Sequence, residues 1–199
     1  MVFAEGEDAH FVYSVGAGVV RICRHSYEGR RQVLALMLPG DLFGLPDQGI
    51  YLNSAEVVCP STLYRVPWIK LRGLIERAPA IHLNFFNRTA YDLREAQRRI
   101  MVLGQQNTYQ RLASLLLDFI QNPAFFDSEQ RRLAMPLSRF DIGDYLGMAP
   151  ETLARALKRL EHDQLIRRVT ARIIEIKNVE GLRDLQRARR RSKSPHRLA

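Results

Sequence analysis

The chain of 199 residues is long enough to bury an ordinary core without disulfides or metals, and 46% of its residues are apolar. No run approaches the roughly 18 to 20 apolar residues of a membrane-spanning helix, and the acidic start M-V-F-A-E-G-E-D is unlike a signal peptide, so we expect a cytoplasmic protein without membrane partners. Of the formal net charge of +9, residues 1–104 hold 12 Lys and Arg against 10 Asp and Glu, and residues 105–199 hold 18 against 11. The asymmetry favours nucleic acid as a partner; a solvated surface with a disordered basic tail is the alternative.

The two cysteines, Cys23 and Cys59, stand alone without C-x-x-C spacing. This argues against a structural zinc, a four-cysteine cluster and a disulfide framework. The sequence also lacks a phosphate-cradling glycine loop, a nucleophile motif and a metal-ligand cluster. We therefore expect a protein that is not an enzyme and holds no cofactor.

Short strands at a spacing of roughly 8 to 12 residues are predicted from Phe11 to about Pro67. Gly16 and Gly18 are expected at a turn or bulge, and a turn is expected at residues 27–29. The strand patterns are F-V-Y-S-V-G-A-G-V-V-R-I-C-R, R-R-Q-V-L-A-L-M-L, A-E-V-V and S-T-L-Y-R-V-P. These elements predict a small antiparallel roll or barrel, which with the short helix W-I-K-L-R-G-L-I-E-R makes a first domain of residues 1–79.

A longer helix is predicted over residues 80–104, ending at Gly104, a candidate hinge. Small or apolar residues recur alternately four and three positions apart, which makes a narrow seam of coiled-coil type: Phe86, Ala90, Leu93, Ala96, Ile100 and Leu103. The opposite face is charged and comprises Arg88, Asp92, Arg94, Glu95, Arg98 and Arg99. We expect this helix to form a parallel homodimer; the alternative is a helix packed on its own roll.

Residues 105–180 are predicted to form a third unit. A helix begins at Thr108, a loop contains Pro123, and Ser138 caps a helix over residues 139–146, with Asp141 completing a capping box. Phe140 or Ile142, together with Leu146, is expected to point inward. Gly147 can take the left-handed conformation that ends a helix, and Pro150 begins the next one, so the spacing predicts a helix-turn-helix.

On the second helix, Leu153, Leu157 and Leu160 share one face, and Glu151, Ala154, Arg155 and Lys158 share another, with Arg159 beside it. An arginine can donate two bonds to guanine, and a glutamate can accept from cytosine. The expected phosphate contacts are Thr152, Lys158, Arg159 and Arg139. The alternative is a solvated charged face. Two further strands are predicted in L-I-R-R-V-T-A-R-I-I-E-I-K, and a β-hairpin after a helix-turn-helix makes a winged helix-turn-helix. Residues 181–199 are expected to be a basic tail.

The stretch S-R-F-D-I-G-D-Y-L-G-M-A-P-E-T-L-A-R-A-L-K-R-L-E resembles the helix-turn-helix of the Crp/Fnr transcription regulators. E-G-E-D-A-H-F-V-Y-S-V-G-A-G-V-V-R and G-R-R-Q-V-L-A-L-M-L-P-G-D-L-F-G-L resemble their amino-terminal β-roll, and the FixK-like branch is the nearest. The resemblance implies an α+β fold with a cyclic-nucleotide-binding-like β-roll, a long dimerisation helix and a carboxy-terminal winged helix-turn-helix. Met1 is expected to fall within the family's second strand, with the first strand missing.

The resemblance further implies a homodimeric regulator that binds a palindrome in double-stranded DNA, contacts RNA polymerase and activates low-oxygen, respiratory or nitrogen-metabolism genes. Glu151 and Arg155 would read the G·C pair of a T-T-G-A type half-site. Pro150 stands where the cAMP receptor branch has arginine, and Ala154 where the Fnr branch has serine. We therefore expect an Fnr-like site with looser discrimination at the outer position.

Cyclic-nucleotide binders of this family hold the phosphate with an Arg-Ser or Arg-Thr pair, where this chain has Asn53-Ser54. The ribose-binding glutamate is also absent between Gly44 and Ser54, so we predict no cAMP binding. The two cysteines cannot hold the four-cysteine cluster of the Fnr branch. His82 could be an axial haem ligand, although a surface histidine is favoured. The alternative function is a ligand-sensing module, for cyclic nucleotide or haem, whose basic domain contacts protein or RNA.

Overall fold

The computed structural model of the protein describes residues 1–25 and 31–188. The turn predicted at residues 27–29 and residues 189–199 of the predicted tail lie outside the described residues. Within the described part, no helix is long and apolar enough to span a membrane.

The described residues of the amino-terminal part form six strands: β1 Phe11–Ala17, β2 Val20–His25, β3 Arg31–Met37, β4 Leu42–Phe43, β5 Ser54–Val57 and β6 Thr62–Pro67. They form two antiparallel sheets with strand orders β4–β1–β6 and β3–β2–β5. Phe3, which pairs with Ala55, is buried in the roll's core and stacks on Tyr51 with ring centroids 3.7 Å apart. The predicted β-roll is therefore present, and its core includes the first residues of the chain.

The prediction of irregular backbone at Gly16 and Gly18 is confirmed. The pairing of β1 with β6 shifts register between Val15 and Ala17, which places a bulge at Gly16. A Cβ atom on Gly16 would lie 2.6 Å from the Tyr64 ring. Gly18 has a φ of +85°, and a side chain there would meet Ser61. Gly18 thus requires glycine, whereas a side chain at Gly16 would displace the exposed Tyr64 ring.

Two helices follow, α1 Trp68–Arg77 and α2 Pro79–Gln105. Pro79 occupies the first turn of α2, where its missing N–H costs nothing. The predicted end at Gly104 is early, because α2 continues through Gly104 and the chain leaves helical geometry at Gln106. Asn107 then caps the next helix by accepting from the Gln110 N–H at 3.0 Å. The junction between the two parts therefore lies at residues 106–107.

The carboxy-terminal part contains α3 Thr108–Ile120, β7 Phe126–Asp127, β8 Arg132–Ala134, α4 Arg139–Leu146, α5 Pro150–His162, β9 Ile166–Arg168, β10 Ile173–Ile176 and α6 Val179–Arg187. Its strands form one sheet of order β7–β8–β10–β9, in which β9 and β10 are the predicted hairpin. The loop predicted around Pro123 leads into β7 and β8, which are only two and three residues long. Strands this short show no alternation in the sequence, which is why they were not predicted.

The boundary of the predicted basic tail is corrected by α6. Residues 181–187 belong to this helix, which the Asn178 side chain caps by accepting from the Gly181 N–H at 2.8 Å. Leu182 is fully buried, and the Gln110 side chain donates to the Leu185 carbonyl at 3.2 Å. Helix α6 therefore packs against α3 as part of the carboxy-terminal core.

The two parts share apolar contacts. Val19 is fully buried within the carboxy-terminal core cluster, although it belongs to the turn between β1 and β2. Leu36 on β3 and Val58 after β5 pack against the same cluster. The roll is therefore docked on the helix-turn-helix.

Candidate DNA-binding surface

The turn between α4 and α5 is set by local backbone chemistry. Ser138 and Asp141 form the predicted capping box, in which each side chain accepts from the other residue's N–H, at 3.1 and 3.2 Å. Gly147 is left-handed, with φ +61° and ψ +49°, and its N–H donates to the Gly143 carbonyl. Pro150 begins α5 three residues later, as predicted. The helix-turn-helix geometry thus follows from Ser138, Gly147 and Pro150.

Helix α5 has one buried and one exposed face. Leu153, Leu157 and Leu160 are buried, as predicted, and Ala156 is buried with them. The exposed residues are Glu151, Ala154, Arg155, Lys158 and Arg159, and Thr152 is half-buried. Within the described residues, no side chain forms an ion pair or hydrogen bond with Glu151 or Lys158. The structure therefore brings the predicted base-reading residues together on one free face.

Arg159 is less free than the sequence indicated. Its guanidinium carbon lies 4.6 Å from the centroid of the Tyr109 ring, and its Nε is 3.8 Å from Asp163. The Tyr109 hydroxyl donates to Asp163 at 2.6 Å. Burial and this bond raise the pKa of Tyr109 above its ordinary value, so the hydroxyl keeps its proton. Tyr109 and Asp163 therefore hold Arg159 to the side of α5.

Helix α4, the first helix of the helix-turn-helix, has two exposed side chains at its start, Arg139 and Phe140. Arg139 is exposed, as its predicted phosphate contact requires. Of the two inward candidates, Ile142 is the buried one, and Phe140 is 71% exposed. Phe140 therefore faces away from the core, because Ile142 and Leu146, four residues apart, already occupy the inward side of α4.

The wing is joined to the end of α5 by one ion pair. The Arg168 N–H donates to Glu161 at 3.0 Å, and the Arg168 guanidinium donates to the same carboxylate. The hydrogen bond from Arg168 lowers the pKa of Glu161 below its ordinary value. Arg167 and Arg172 are exposed on the hairpin and extend the basic surface. Neither arginine is among the DNA contacts predicted from the sequence.

The seam predicted on α2 is exposed along most of its length. Phe86 is 63%, Leu93 60% and Ile100 69% exposed, and Ala96 is also exposed, while Leu103 is half-buried. No residue of α2 is buried. An isolated chain thus leaves a long apolar strip uncovered.

The charged side of α2 packs on the rest of the chain. Arg88 Nη2 donates to Asp41 of the roll at 2.7 Å, and Arg98 Nη2 donates to Asp118 on α3 at 3.0 Å. Arg99 donates to the carbonyls of Val33 on β3 and Tyr145 on α4. The alternative of packing on the roll therefore describes this side of α2 and not its apolar seam.

In the β-roll, Ser54 is buried, and its hydroxyl accepts from the Glu5 N–H at 3.0 Å. Asn53, predicted to stand where the family's cyclic-nucleotide binders have arginine, is half-buried beside it. His82 is exposed on α2. Within the described residues, no three His, Cys, Asp or Glu side chains are grouped as metal ligands.

Comparisons with known proteins match both parts of the chain. The model of the cyclic nucleotide-binding domain matches residues 1–78, and that of the Crp-like helix-turn-helix domain matches residues 110–185. The nitrogen fixation regulation protein FixK of Azorhizobium caulinodans is 33% identical over 185 residues, 92% of this chain and 75% of that protein. FixK of Rhizobium meliloti is 33% identical over 184 residues, 92% of this chain and 82% of that protein.

Solved structures share the fold. FixK2 of Bradyrhizobium japonicum matches with a TM-score of 0.87 and 32% identity, covering 95% of this chain and 93% of that one. A transcriptional regulator of the CRP family from Thermus thermophilus, at 21% identity, matches with a TM-score of 0.77 over 94% of this chain and 93% of that one. The resemblance drawn from the sequence and the predicted α+β fold are thereby confirmed. The chain belongs to the Crp/Fnr family of DNA-binding transcription regulators.

Proposed function

We propose that the protein binds a palindromic DNA site as a homodimer and reads a G·C pair in each half-site with Glu151 and Arg155. The observation that carries this proposal is the free face of α5, on which Glu151, Ala154 and Arg155 are exposed opposite a buried leucine face. Arg155 donates to guanine, Glu151 accepts from the cytosine amino group, and the Ala154 methyl contacts a thymine methyl. Pro150 cannot donate to a base, so the outer position is read less strictly.

Phosphate contacts orient the reading helix. Arg139 at the start of α4 and Lys158 on α5 are exposed cations beside the reading face, and Thr152 adds a hydroxyl. Arg159, held by Tyr109 and Asp163, contacts phosphate from the side of α5. Such contacts fix the position of the helix and do not carry sequence information.

The apolar seam of α2 supports the homodimer. Phe86, Leu93 and Ile100 present large side chains to water in a single chain, and the spacing of four and three suits a second α2 helix lying parallel to the first. A two-fold axis along α2 carries the two reading helices to half-sites about one turn of DNA apart, roughly 34 Å.

The names of the relatives support a role in gene activation. FixK is named a nitrogen fixation regulation protein, and AadR of Rhodopseudomonas palustris, 30% identical over 168 residues, is named a transcriptional activatory protein. We therefore infer an activator of low-oxygen, respiratory or nitrogen-metabolism genes that contacts RNA polymerase.

A ligand-sensing module is the second candidate function, and the match of residues 1–78 to the cyclic nucleotide-binding domain favours it. The Asn53-Ser54 pair argues against a cyclic nucleotide, because the phosphodiester lacks its bidentate arginine. Titration calorimetry with cAMP and cGMP is expected to show no binding. Tight binding of either nucleotide would support the ligand-sensing function. A haem absorbance band that is lost when His82 is substituted would support it as well.

Selection of bound sites from random duplex DNA tests the proposal. We expect enrichment of a T-T-G-A type palindrome with one fixed spacing and an affinity that falls steeply with salt. Enrichment of an unrepeated half-site contradicts the dimer, and enrichment of no sequence contradicts base reading by α5.

A further inference from the structure

Five charged side chains join the β-roll to the first helix of the helix-turn-helix. We call them the interdomain charge cluster: Arg21 on β2, Arg31 on β3, Glu56 on β5, and Asp141 and Asp144 on α4. None of them belongs to the reading face of α5.

Each arginine of the cluster reaches across the interface. Arg21 donates through Nε to Glu56 at 2.8 Å and through Nη1 to Asp141. Arg31 donates two hydrogen bonds to Asp144, from Nη2 at 2.6 Å and from Nε at 3.1 Å. Its Nη2 also donates to Asp141 at 3.2 Å. Arg31 thus contacts two residues of α4, Asp141 and Asp144, and Arg21 contacts Asp141, so the two guanidinium groups hold α4 against the roll at two points.

The members of the cluster are shielded from water to different degrees. The side chains of Arg21 and Glu56 are each 16% exposed and that of Asp141 is 8% exposed, whereas those of Arg31 and Asp144 are 24% and 34% exposed. Removing one member of such a group leaves the others desolvated and unpaired, so its effect exceeds that of a surface ion pair.

Helix α4 is also bonded to α2. The Arg99 guanidinium donates to Val33 on β3 at 3.1 Å and to the Tyr145 carbonyl on α4, and its carbon lies 3.5 Å from the centroid of the Tyr145 ring. The roll, α2 and α4 therefore meet at one junction. Because α4 and α5 pack in one buried cluster on either side of the short turn at Gly147, a movement of α4 at this junction moves the reading face.

We propose that Arg21 and Arg31 are positioning residues for DNA recognition, which hold α4 on the roll so that the two reading helices match one half-site spacing. The inference rests on the proposed homodimer, since a spacing exists only between two copies. It predicts that residues of the roll determine spacing selectivity without touching DNA.

The test compares Arg31→Ala and Asp144→Asn with wild type. Asp144 lies outside the capping box, so its substitution leaves the start of α4 intact. Arg24→Ala is the matched control. Arg24 lies on the neighbouring strand β2, but its side chain is 56% exposed and pairs with Glu5, another residue of the roll, and not with α4. Circular dichroism and the dimer mass from light scattering establish that each variant is folded and assembled.

Affinities are measured by fluorescence anisotropy at one salt concentration for the selected palindrome, for versions with one base pair inserted or removed, and for a single half-site. We expect Arg31→Ala and Asp144→Asn to bind the best palindrome about tenfold more weakly and to lose most of the spacing preference. Single half-site binding stays unchanged, because α5 itself is unaltered. Arg24→Ala is expected to behave as wild type.

A charge swap provides the rescue. The variants Arg31→Asp and Asp144→Arg are each expected to lose spacing preference, and their combination is expected to regain part of it. If wild type selects a palindrome and Arg31→Ala keeps the full spacing preference, this inference is wrong while the proposed function stands. Equal losses on palindrome and half-site also overturn it, because they indicate damage within the helix-turn-helix. If wild type selects no palindrome, the proposed function fails first.

Discussion

Arg155 and Thr152 are hydrogen-bonded on the exposed face of α5, with Arg155 Nη2 donating to the Thr152 hydroxyl at 3.2 Å. The bond joins residues one helical turn apart and lays the long arginine along the helix. If Arg155 reads a base as proposed, this bond orders its side chain on the exposed face of α5 beforehand and lowers the entropy lost on binding.

Arg155→Ala is expected to weaken binding to the selected site by about 1 to 3 kcal/mol and to leave binding to random duplex nearly unchanged. Anisotropy titrations on both DNAs at equal salt measure this. Lys158→Ala is the matched control on the same helix. We expect it to weaken binding to both DNAs alike and to lower the slope of log affinity against log salt concentration by about 1. Equal losses on the two DNAs for Arg155→Ala would contradict its role in base reading.

Ile100→Glu is expected to convert the dimer to a monomer, because it places a charge within the apolar seam of α2. Sedimentation or light scattering gives the mass, and DNA affinity should fall with it. Ile69→Glu on α1 is the control, since Ile69 is 72% exposed but lies off the seam. A dimer that survives Ile100→Glu would place the interface elsewhere.

Two glycines of opposite conformation give opposite predictions for stability. Gly147→Ala is expected to lower the free energy of unfolding by about 1 to 2 kcal/mol, because a Cβ is strained at its φ of +61°. Gly104→Ala is expected to raise it by about 0.5 to 1 kcal/mol, since Gly104 is helical with open space around it. Chemical denaturation measures both changes.

Gly104→Ala also tests the predicted hinge. If Gly104 is a hinge, Gly104→Ala should bind the selected site more weakly, although it unfolds at a higher denaturant concentration than wild type. Unchanged DNA affinity would contradict a hinge at Gly104.

Acid is expected to weaken the interdomain charge cluster through Glu56. Burial by itself raises the pKa of Glu56. The hydrogen bonds and charge of Arg21, together with the charges of Arg31 and His25, outweigh burial, so the pKa of Glu56 lies below its ordinary value. The stabilisation by Glu56 is therefore complete above the unfolded pKa of about 4.3 and is lost as pH falls through the lower folded pKa.

Glu56→Gln is expected to lower the free energy of unfolding by about 1.5 to 3 kcal/mol at neutral pH. The difference from wild type should shrink below about pH 4. Glu76→Gln, which breaks an exposed pair with Arg72, should cost under about 0.5 kcal/mol at every pH. A Glu56→Gln difference that stays constant into acid would contradict the ion pairs.

The helix-turn-helix was predictable from the sequence because single residues mark its boundaries. Ser138, Gly147 and Pro150 each fix a backbone conformation by local chemistry: α4 begins after Ser138 and ends before Gly147, and α5 begins at Pro150. Helix α6 was missed because its apolar residues are few and the adjoining arginines suggested a tail. The two-residue β7 was missed because pairing with β8, and not its own pattern, makes it a strand.

The interdomain charge cluster could not be predicted from the sequence. Arg21 and Asp141 are 120 positions apart, and an aspartate in a capping box already has a sufficient local explanation. Only the docking of the roll on α4 brings the arginine to it. The exposed seam of α2 was predictable, since its spacing alone indicates a face that needs a second helix.

Val19 belongs to the roll by sequence and to the carboxy-terminal core by packing, so the chain is not modular in the way its two family matches suggest. A fragment cut at residues 106–107 would leave the hydrophobic surface under Val19 and Leu36 open to water and prone to aggregation. The same holds for chimaeras that exchange one part between relatives. Engineering a new sensor onto this DNA-binding domain would require grafting the first turn of the roll along with it.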